Sequence, residues 1–484
     1  LGRAIADALP KPHKKHDGYI EVANGDCVSW CIGHLLEQAE PDDYDARFKK
    51  WQFEHLPIVP QQWQLKAKTK TRKQLTILKK LIKQASVLVH AGDPDREGQL
   101  LVDEVIEQAK ISKTKKQSIQ RLLISDLNLA AVKKALTTMR SNREFIPLSA
   151  AALARSRADW LFGMNLTRAY TLAGQKAGFG NVLSVGRVQT PILGLVVNRD
   201  NEIANFVSKP FYEVLAHLIT PEQQSFVAKW VPSKACEPYQ DEEGRVLNNA
   251  LAENVASRIA NQPAEVTALE QKQKKQSAPL PYNLSALQID AAKAFGMAAQ
   301  QVLDICQTLY ERHKLITYPR SDNRYLPKGH FTEGDKVIAA IANNDRELTN
   351  AANKADSGIK SKAWNDNKVD AHHAIIPTAK KLATASLSGS ESKVYQLIAR
   401  QYLAQFYPVH VFSEQQVTID IAGGEFKAKA KAINELGWKV LFKQNTDDVV
   451  LPALVKDQLL QCVDSRLIDK MTQPPKPFTD ATLL

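Results

Sequence analysis

Cysteine is scarce in this chain of 484 residues, and its pattern excludes two kinds of structure. The five cysteines are an odd number, and none lies in a Cys-x-x-Cys pair. Neither a disulfide framework nor a zinc ribbon is therefore indicated, and we expect a reducing compartment.

Long apolar runs and leader patterns are missing as well. No stretch of about 18 apolar residues exists, and residues 1–7 lack the basic-then-apolar order of a signal peptide. A Gly-x-x-x-x-Gly-Lys-Ser/Thr loop for nucleoside triphosphates is also absent from the sequence. These absences predict a soluble cytoplasmic protein that makes no membrane contact and whose chemistry is not driven by ATP.

Basic residues are in excess, with 64 Lys and Arg against 52 Asp and Glu and a formal net charge of +12. Such an excess favours a polyanionic partner, most commonly nucleic acid, although a solvated basic surface without a partner is the alternative. The basic runs at 66–73 and 272–275 are better explained as solvated faces than as phosphate sites.

Three carboxylates lie close together after an apolar run. Residues 87–89 are typical of a strand buried in a parallel sheet, and a helical spacing of apolar residues follows. Asp93, Asp95 and Glu97 would therefore cluster at the carboxyl end of a strand. They should repel one another unless a hard cation neutralises them, which predicts a Mg²⁺ site, with Mn²⁺ as an alternative. A solvated acidic turn that caps a helix is the other explanation.

A second cluster surrounds one tyrosine. A phenol with a pKa of about 10 attacks a phosphate poorly at neutral pH, so a tyrosine nucleophile needs cations beside it. Arg320 and Arg324 follow Tyr318 closely and could supply them. Arg320 is placed to donate two hydrogen bonds to a phosphate as charge builds on its oxygens. A half-buried strand tyrosine and a surface ion pair for Arg320 are the ordinary alternatives.

Together the two clusters resemble the signatures of one enzyme family. Asp93-Pro-Asp-Arg-Glu-Gly98 resembles the Toprim acidic motif, and Ile316-Thr-Tyr-Pro-Arg-Ser-Asp322 resembles the active-site signature of type IA DNA topoisomerases. Two more segments resemble hallmarks of that family in the same order, namely Ser184-Val-Gly-Arg-Val-Gln-Thr-Pro191 and Asp370-Ala-His-His-Ala-Ile-Ile-Pro-Thr378. The residues of these motifs are most similar to those of the bacterial topoisomerase III branch of the family. The resemblance spans nearly the whole chain.

The resemblance implies an isomerase that cleaves single-stranded DNA through a 5′-phosphotyrosine on Tyr318, passes a strand and religates without ATP. Such an enzyme relaxes negative supercoils and decatenates DNA. The resemblance also implies that His372 assists at the scissile phosphate, with a buried, hydrogen-bonded histidine as the alternative.

Ser184, Arg187 and Gln189 lie in a glycine-containing turn. Their hydroxyl, guanidinium and amide groups suit a nucleotide's phosphate and base edge. In the family, this segment helps to bind the strand upstream of the cleavage point.

The expected fold class is multidomain α/β plus α plus β, in which a Toprim domain precedes type IA helical and β domains that form a toroidal gate. Alternating strand and helix patterns place the Toprim domain at 1–145, and helical patterns follow at 146–203. Strand patterns at 204–270 and 401–470 predict one β domain, interrupted by a helical domain at 271–400 that carries Tyr318. This nesting rests partly on the resemblance.

Both ends depart from the family pattern. The family begins with a strand that ends in Glu-Lys-Pro, whose glutamate is a candidate general acid and whose lysine contacts the scissile phosphate. Here residues 4–9 are expected to form the helix that follows that strand, and 471–484 begin a return to the helical domain. We therefore expect a fragment that retains part of its DNA affinity but has impaired cleavage.

Two other classes explain parts of the sequence. A magnesium-dependent Toprim nuclease or primase would use the three carboxylates without forming a covalent adduct, and a non-catalytic single-stranded DNA-binding protein needs only basic charge. Under the family assignment, the partners are single-stranded DNA and negatively supercoiled or catenated DNA. A RecQ-type helicase and a single-strand binding protein are familiar partners of the family, and a nucleoid-associated monomer is expected.

Overall fold

The computed structural model describes residues 1–124, 127, 129–369, 372–382, 387–443 and 451–484 of the chain. Its first part alternates short strands and helices. In chain order these are α1 (Gly2–Ala8), β1 (Lys14–His16), β2 (Tyr19–Glu21), β3 (Cys27–Ser29), β4 (Leu36–Gln38), α2 (Pro41–Tyr44), β5 (Leu65–Ala67), α3 (Arg72–Gln84), β6 (Val89–His90), α4 (Arg96–Gln108), α5 (Lys113–Gln117), β7 (Gln120–Arg121), α6 (Leu129–Leu136) and β8 (Arg140–Ser141).

The strands of this part form small sheets, in the orders β1-β2-β3, β4-β5 and β6-β7-β8. Strands β6 and β7 run parallel, so the acidic turn follows the carboxyl end of a parallel strand. The expectation that 87–89 is buried is wrong for Val87 and Val89, which are 64% and 45% exposed. Val87 and Val89 are two residues apart and share one face of the extended chain, and that face is exposed, whereas His90 on the other face is buried.

Two long helices follow, α7 (Ile146–Lys176) and α8 (Gln189–Ala204). Helix α7 packs on the preceding part through polar anchors. Trp160 Nε1 donates to the Ala39 carbonyl over 3.1 Å, and Arg168 donates to the Phe48 carbonyl over 2.7 Å. Trp160 is thus a packing residue, and α8 has no buried residue.

Six strands close a barrel in the order β10-β13-β12-β11-β14-β9. The barrel elements are β9 (Pro210–Ile219), β10 (Ser225–Trp230), α9 (Asn249–Ile259), β11 (Pro263–Gln276), β12 (His410–Ile421), β13 (Gly424–Glu435) and β14 (Leu459–Met471). Strand β10 shows why they form, because exposed and buried residues alternate along it and place Phe226, Ala228 and Trp230 in the core.

Between β11 and β12 the chain leaves the barrel and forms a helical unit, residues 277–409, which we call the tyrosine unit. Its helices are α10 (Leu284–Phe295), α11 (Ala299–Thr308), α12 (Lys328–Phe331), α13 (Gly334–Asn344), α14 (Thr349–Asn353) and α15 (Gly389–Leu403), and a last short helix, α16 (Asp480–Leu483), follows β14. Leu287, Leu309, Tyr395 and Phe406 are fully buried in the core of the unit.

Trp438 fastens both connections between the barrel and the tyrosine unit. Its Nε1 donates to the Gln276 carbonyl and its backbone N–H donates to the Pro408 carbonyl, each over 2.9 Å. Gln276 and His410 are partners in the same row of the sheet. The unit therefore enters and leaves the barrel at one place.

Candidate active site

The segment that carries Tyr318 is hydrogen-bonded to the segment that carries His372. The Thr317 N–H donates to the Ile376 carbonyl over 2.9 Å. The Thr317 hydroxyl donates to the Ala374 carbonyl over 3.1 Å and accepts the Ile376 N–H over 3.0 Å. This pairing brings two side chains that are distant in the sequence to one place.

Tyr318 is 6% exposed and lies between the tyrosine unit and the acidic turn. Its ring stacks on His372, with ring centroids 4.6 Å apart and planes at 20°. Its hydroxyl donates to Asp95 Oδ2 over 3.1 Å, across 223 positions of sequence. The structure therefore brings together three of the predicted site residues.

Burial raises the pKa of Tyr318, and so do the charges of Asp93 and Asp95 and the hydrogen bond to Asp95, whereas Arg320 lowers it. The phenol is consequently protonated at neutral pH. A nucleophilic Tyr318 needs an acceptor for its proton and positive charge to offset the carboxylates. Asp95 Oδ2 already occupies the position of the acceptor.

Two glycines fold the acidic turn tightly against the first turn of α4. A Cβ on Gly92 would lie 2.3 Å from the Gly98 carbonyl oxygen, and a Cβ on Gly98 would lie 2.5 Å from the Asp93 carbonyl oxygen. Only glycine allows so close an approach of two backbones. Asp95 is the N-cap of α4, and its Oδ1 accepts the Gly98 N–H over 2.6 Å. The cap fixes the carboxylate whose Oδ2 accepts from the phenol.

The carboxylates of Asp93 and Asp95 fit a hard divalent cation. Burial raises the pKa of Asp93 and the neighbouring charge of Asp95 raises it further, while Arg121 and Arg320 lower it. Oxygen ligands that repel one another in this way are relieved by a bound cation such as Mg²⁺.

Glu97 is not gathered with the other two carboxylates. It is exposed, and its Oε2 lies 3.8 Å from His34 Nε2, while His34 Nδ1 lies 3.5 Å from Glu104 Oε2. In the part of the chain that the structure describes, no group of three or more His, Cys, Asp or Glu side chains is arranged to hold a metal ion. The assignment of Asp93, Asp95 and Glu97 as metal ligands stays a prediction. Of the three residues, Asp93 and Asp95 lie near Tyr318.

The two arginines that follow Tyr318 differ in their surroundings. Arg320 is exposed, has no hydrogen bond or ion pair with another described residue, and lowers the pKa of both Tyr318 and Asp93. Arg324 instead donates to the carbonyls of residues 280 and 281 over 2.8 and 2.9 Å. The expectation that Arg324 supplies a cation to the phosphate is corrected, because its guanidinium ties the tyrosine loop to the backbone before α10.

His372 has a lowered pKa, and one of its ring nitrogens lacks a hydrogen-bond partner among the described residues. Burial lowers its pKa, and the charges of Asp95 and Asp322 offset this in part. Its Nε2 is buried and has no hydrogen-bond partner among the described atoms. A buried ring nitrogen without a partner beside Tyr318 is free to bond a substrate phosphate. Asp370 and Ala371 of the same motif lie outside the described residues.

The neighbouring His373 has a structural role. Its Nδ1 lies 2.8 Å from the Ala374 carbonyl oxygen, and its ring packs against His330 with centroids 4.7 Å apart. Burial lowers the pKa of His373 to about 3, so its ring stays neutral in the fold.

The turn before α8 is strapped onto α7 by two threonine hydroxyls. Thr171 accepts the Leu183 N–H over 3.0 Å, and Thr167 accepts the Val185 N–H over 2.9 Å. These bonds hold the turn in place and leave its polar side chains exposed.

Ser184, Arg187 and Gln189 are exposed on this turn, as a surface that binds a strand requires. Gln189 Nε2 donates to Ser184 Oγ over 3.2 Å, and Arg187 Nε donates to Asp159 Oδ1 over 2.5 Å. The Arg187 hydrogen bond lowers the pKa of Asp159. No hydrogen bond or ion pair between described residues joins these side chains to Tyr318.

Sequence reasoning missed two buried residues beneath the acidic turn, Gln99 and Arg121, which are 0% and 1% exposed. A signal for Arg121 existed, because the charged residue directly precedes the apolar residues 122–124, and a charged side chain beside such a run is seldom buried without a partner. Gln99 follows Gly98 of the acidic motif, but nothing in the sequence distinguishes it from a solvated helix residue.

Two protein-family models match the chain. A Toprim domain matches residues 2–127, and a DNA topoisomerase model matches residues 143–484. DNA topoisomerase 3 of Vibrio cholerae is 61% identical over 493 residues, a match that covers 100% of this chain and 76% of that protein. The chain belongs to the type IA DNA topoisomerase family.

Other relatives of this topoisomerase agree. DNA topoisomerase 3 of Salmonella typhimurium is 54% identical, covering 100% of this chain and 75% of that protein, and that of Bacillus subtilis is 36% identical, covering 100% and 65%. Topoisomerase I of Thermotoga maritima has a similar fold, with a TM-score of 0.66 at 20% identity over 93% of this chain and 69% of that one. The predicted family and fold class are confirmed.

The acidic turn of this topoisomerase lies within the Toprim match and Tyr318 lies within the topoisomerase match. Toprim domains are generally metal-binding. The domain limits derived from the sequence stay predictions. Among the described residues, no helix is both long and apolar enough to cross a membrane.

Proposed function

We propose that this topoisomerase cuts one DNA strand by transesterification at Tyr318 and reseals it by the reverse reaction. The observation that carries the proposal is the hydrogen bond from the Tyr318 hydroxyl to Asp95 Oδ2, which joins the tyrosine unit to the acidic turn. The stacked ring of His372 completes the surroundings of the phenol.

Bond making and breaking balance without a nucleotide. The Tyr318 oxygen forms a bond to phosphorus and its proton passes to Asp95, while the bond from phosphorus to the 3′ oxygen breaks. The 3′ oxygen takes a proton from water and leaves as a hydroxyl, the hydroxide so formed takes back the proton held by Asp95, and the 5′ phosphate stays on the tyrosine. Because one phosphodiester replaces another, religation needs no ATP.

Arg320 and His372 are proposed to act on the phosphate. Arg320 is exposed and unpaired within the described chain, so its guanidinium is free to donate to phosphate oxygens as charge builds on them. The neutral His372 Nε2 offers a hydrogen bond from the buried side. Both residues keep these roles as proposals.

The metal is proposed to be held by Asp93 and Asp95, with Glu97 as the third candidate ligand. Mg²⁺ or Mn²⁺ bound there would supply positive charge that offsets the two carboxylates. This fits the pKa of Tyr318, which those same carboxylates raise.

Single-stranded DNA is the proposed substrate, bound in part by Ser184, Arg187 and Gln189. These exposed side chains offer a hydroxyl, a guanidinium and an amide on one turn. The proposed outcomes are relaxation of negatively supercoiled DNA and decatenation, with a RecQ-type helicase and a single-strand binding protein as proposed partners.

The test is a covalent adduct. The protein is incubated with Mg²⁺ and 5′- or 3′-labelled single-stranded DNA, stopped with denaturant and run on a denaturing gel. We expect a protein-linked 5′ phosphate that is lost in Tyr318→Phe. The matched control is Tyr402→Phe, because Tyr402 is buried in the same core and its hydroxyl has no partner among the described residues.

Other outcomes would replace the proposal. Free DNA fragments without an adduct would indicate a Toprim nuclease, and retention of the adduct in Tyr318→Phe would place the nucleophile elsewhere. Because impaired cleavage is expected, the incubation is prolonged, and binding without any cleavage even then would indicate a single-stranded DNA-binding protein.

A further inference from the structure

A buried polar network lies beneath the acidic turn, and Gln99 is its centre. The Gln99 side chain is on α4 and is 0% exposed. All the hydrogen-bonding capacity of its amide nitrogen and one lone pair of its oxygen are used. Gln99 Oε1 accepts from Arg121 Nε over 2.7 Å, and Nε2 donates to Asn142 Oδ1 over 2.8 Å and to Asp103 Oδ2 over 3.0 Å.

Arg121 carries the network to the backbone of the acidic turn. Its Nη1 donates to the Gly92 carbonyl and its Nη2 donates to the Asp93 carbonyl, each over 2.8 Å. A third bond, 2.8 Å long, ends on the Leu122 carbonyl. The guanidinium thus holds the turn from below, and its Nε is oriented by Gln99.

His90 closes the same network at the strand before the turn. Its Nδ1 accepts the Gly92 N–H over 3.3 Å, and its Nε2 lies 3.1 Å from the Gln99 carbonyl oxygen. Gly92 is therefore held through its N–H by His90 and through its carbonyl by Arg121. The turn that presents Asp93 has little freedom to shift.

Asn142 carries the network in the other direction. Its Nδ2 donates to Asp103 Oδ1 over 3.2 Å, and its backbone N–H donates to the Ile119 carbonyl over 2.9 Å. Asn142 lies just before α7, between the Toprim match, which ends at 127, and the topoisomerase match, which starts at 143. The Gln99 amide therefore connects the acidic turn to the start of the helix that bears the DNA-binding turn.

We propose that Gln99 is a positioning residue that sets the place of the Asp93–Asp95 carboxylates by orienting Arg121 and that ties this place to the start of α7 through Asn142. The inference rests on the proposed function and deepens it. Gln99 touches neither the phenol nor the DNA in this scheme. Its effect passes through the backbone of residues 92–93, which carries the first carboxylate.

The decisive variant is Gln99→Leu, which keeps the side chain's approximate volume and removes all three amide bonds. The guanidinium of Arg121 then loses the acceptor that orients it. Because the hydrogen bonds of a buried polar network support one another, the bonds from Arg121 to the carbonyls of residues 92 and 93 should weaken as well. We expect the Mg²⁺ concentration for half-maximal adduct formation to rise about tenfold, the size expected when one bond to a charged group is lost. Affinity for single-stranded DNA in the absence of metal should stay unchanged.

A matched control separates positioning from stability. Gln74 is also a buried glutamine of the first part of the chain, 7% exposed, and its Nε2 donates to Gly18 O, Ser29 Oγ and Trp30 O, none of which belongs to the acidic turn. Gln74→Leu should lower the unfolding temperature and leave the Mg²⁺ half-saturation as in the wild type.

A second variant and a second readout keep the inference testable if Gln99→Leu does not fold. Asn142→Leu leaves the contact between Gln99 and Arg121 in place and should raise the Mg²⁺ half-saturation about threefold, less than Gln99→Leu because Arg121 keeps its acceptor. Binding of Mn²⁺ alone, followed by the electron paramagnetic resonance signal of the free ion, should weaken in the same order without any DNA present.

The inference would be overturned if the wild type, Gln99→Leu and Asn142→Leu had the same half-saturating Mg²⁺ concentration and the same half-saturating Mn²⁺ concentration. A rise in the half-saturating Mg²⁺ concentration of Gln74→Leu as large as that of Gln99→Leu would also overturn it. Failure of the proposed function is distinguished by the wild type. If the wild type forms no adduct at any Mg²⁺ concentration, the nucleophile assignment fails, whereas the Mn²⁺ titrations still decide the role of Gln99.

Discussion

The close backbone approach in the acidic turn makes Gly98 an informative position for a small substitution. In Gly98→Ala, the new Cβ would lie 2.5, 2.7 and 2.9 Å from the carbonyl oxygen, nitrogen and Cα of Asp93. All three are backbone atoms, so no side chain can rotate away to make room. The turn or the start of α4 has to move.

The expected displacement follows from the distances. Ordinary contact begins at 3.4 Å and the Asp93 oxygen lies at 2.5 Å, so relief requires a shift of about 0.9 Å (3.4 − 2.5). Overpacking of this kind costs about 1–3 kcal/mol, against a gain of about 1 kcal/mol from alanine's helix propensity at this helical position. We expect a net loss of about 0–2 kcal/mol in the free energy of unfolding. Because a misplacement of about 1 Å can cost about 100-fold in rate, adduct formation should slow by about that factor.

The assay pairs thermal unfolding with single-turnover adduct formation on labelled single-stranded DNA. The control is Gly194→Ala, since Gly194 lies inside α8 and a Cβ added there would meet nothing within 4 Å, so alanine should stabilise the helix by about 1 kcal/mol. A Gly98→Ala variant that is as stable as Gly194→Ala and forms the adduct at the wild-type rate would refute the steric reasoning.

Two further predictions concern charge. Arg187→Ala should weaken binding of single-stranded DNA. It should also make the slope of log affinity against log salt concentration shallower by about 0.7, because one phosphate contact is lost. Fluorescence anisotropy across a salt series measures the slope, and the control Lys83→Ala on α3 should leave it unchanged. His373 has a folded pKa of about 3 against 6.5 when unfolded, so the unfolded state binds the proton more readily and stability is lost as pH falls from 6.5 towards 3. At pH 5 this amounts to about 2 kcal/mol. Urea unfolding at pH 7 and pH 5 should therefore show a smaller loss of stability in His373→Leu than in the wild type, and an equal loss in both proteins would contradict the assignment.

The parts of the fold that follow from local pattern were predictable from the sequence. Apolar residues recur at helical spacing over 75–82, which lies within α3, and polar and apolar residues alternate over 416–421, which lies within β12. Both depend on residues a few positions apart, which the periods of helix and strand fix. The family assignment rested on short motifs whose order along the chain is specific, and the comparisons confirm it.

The parts that depend on distant contacts were not predictable. The exposure of Val87 and Val89 depends on whether a distant part of the chain covers their face, and the position of Arg324 depends on carbonyls more than forty residues earlier in the chain. Gln99 meets Asn142 across 43 positions. A buried glutamine and a solvated one look alike in a helix until the partner that satisfies the amide is known.

The single place at which the tyrosine unit joins the barrel has a mechanical consequence. Under the proposed mechanism, a DNA strand attached to Tyr318 would pull on the tyrosine unit, and the chain would carry this load to the barrel through Gln276 and His410, which are partners in one row of the sheet. Strands β11 and β12 are then pulled side by side in one direction, so the tension does not peel one from the other. The hydrogen bonds between β12 and β13, from Val411 to Ile421, resist a load along β12. Such a load shears them all together instead of breaking them one at a time. The two connections that Trp438 fastens are therefore the covalent path by which such a load would reach the barrel.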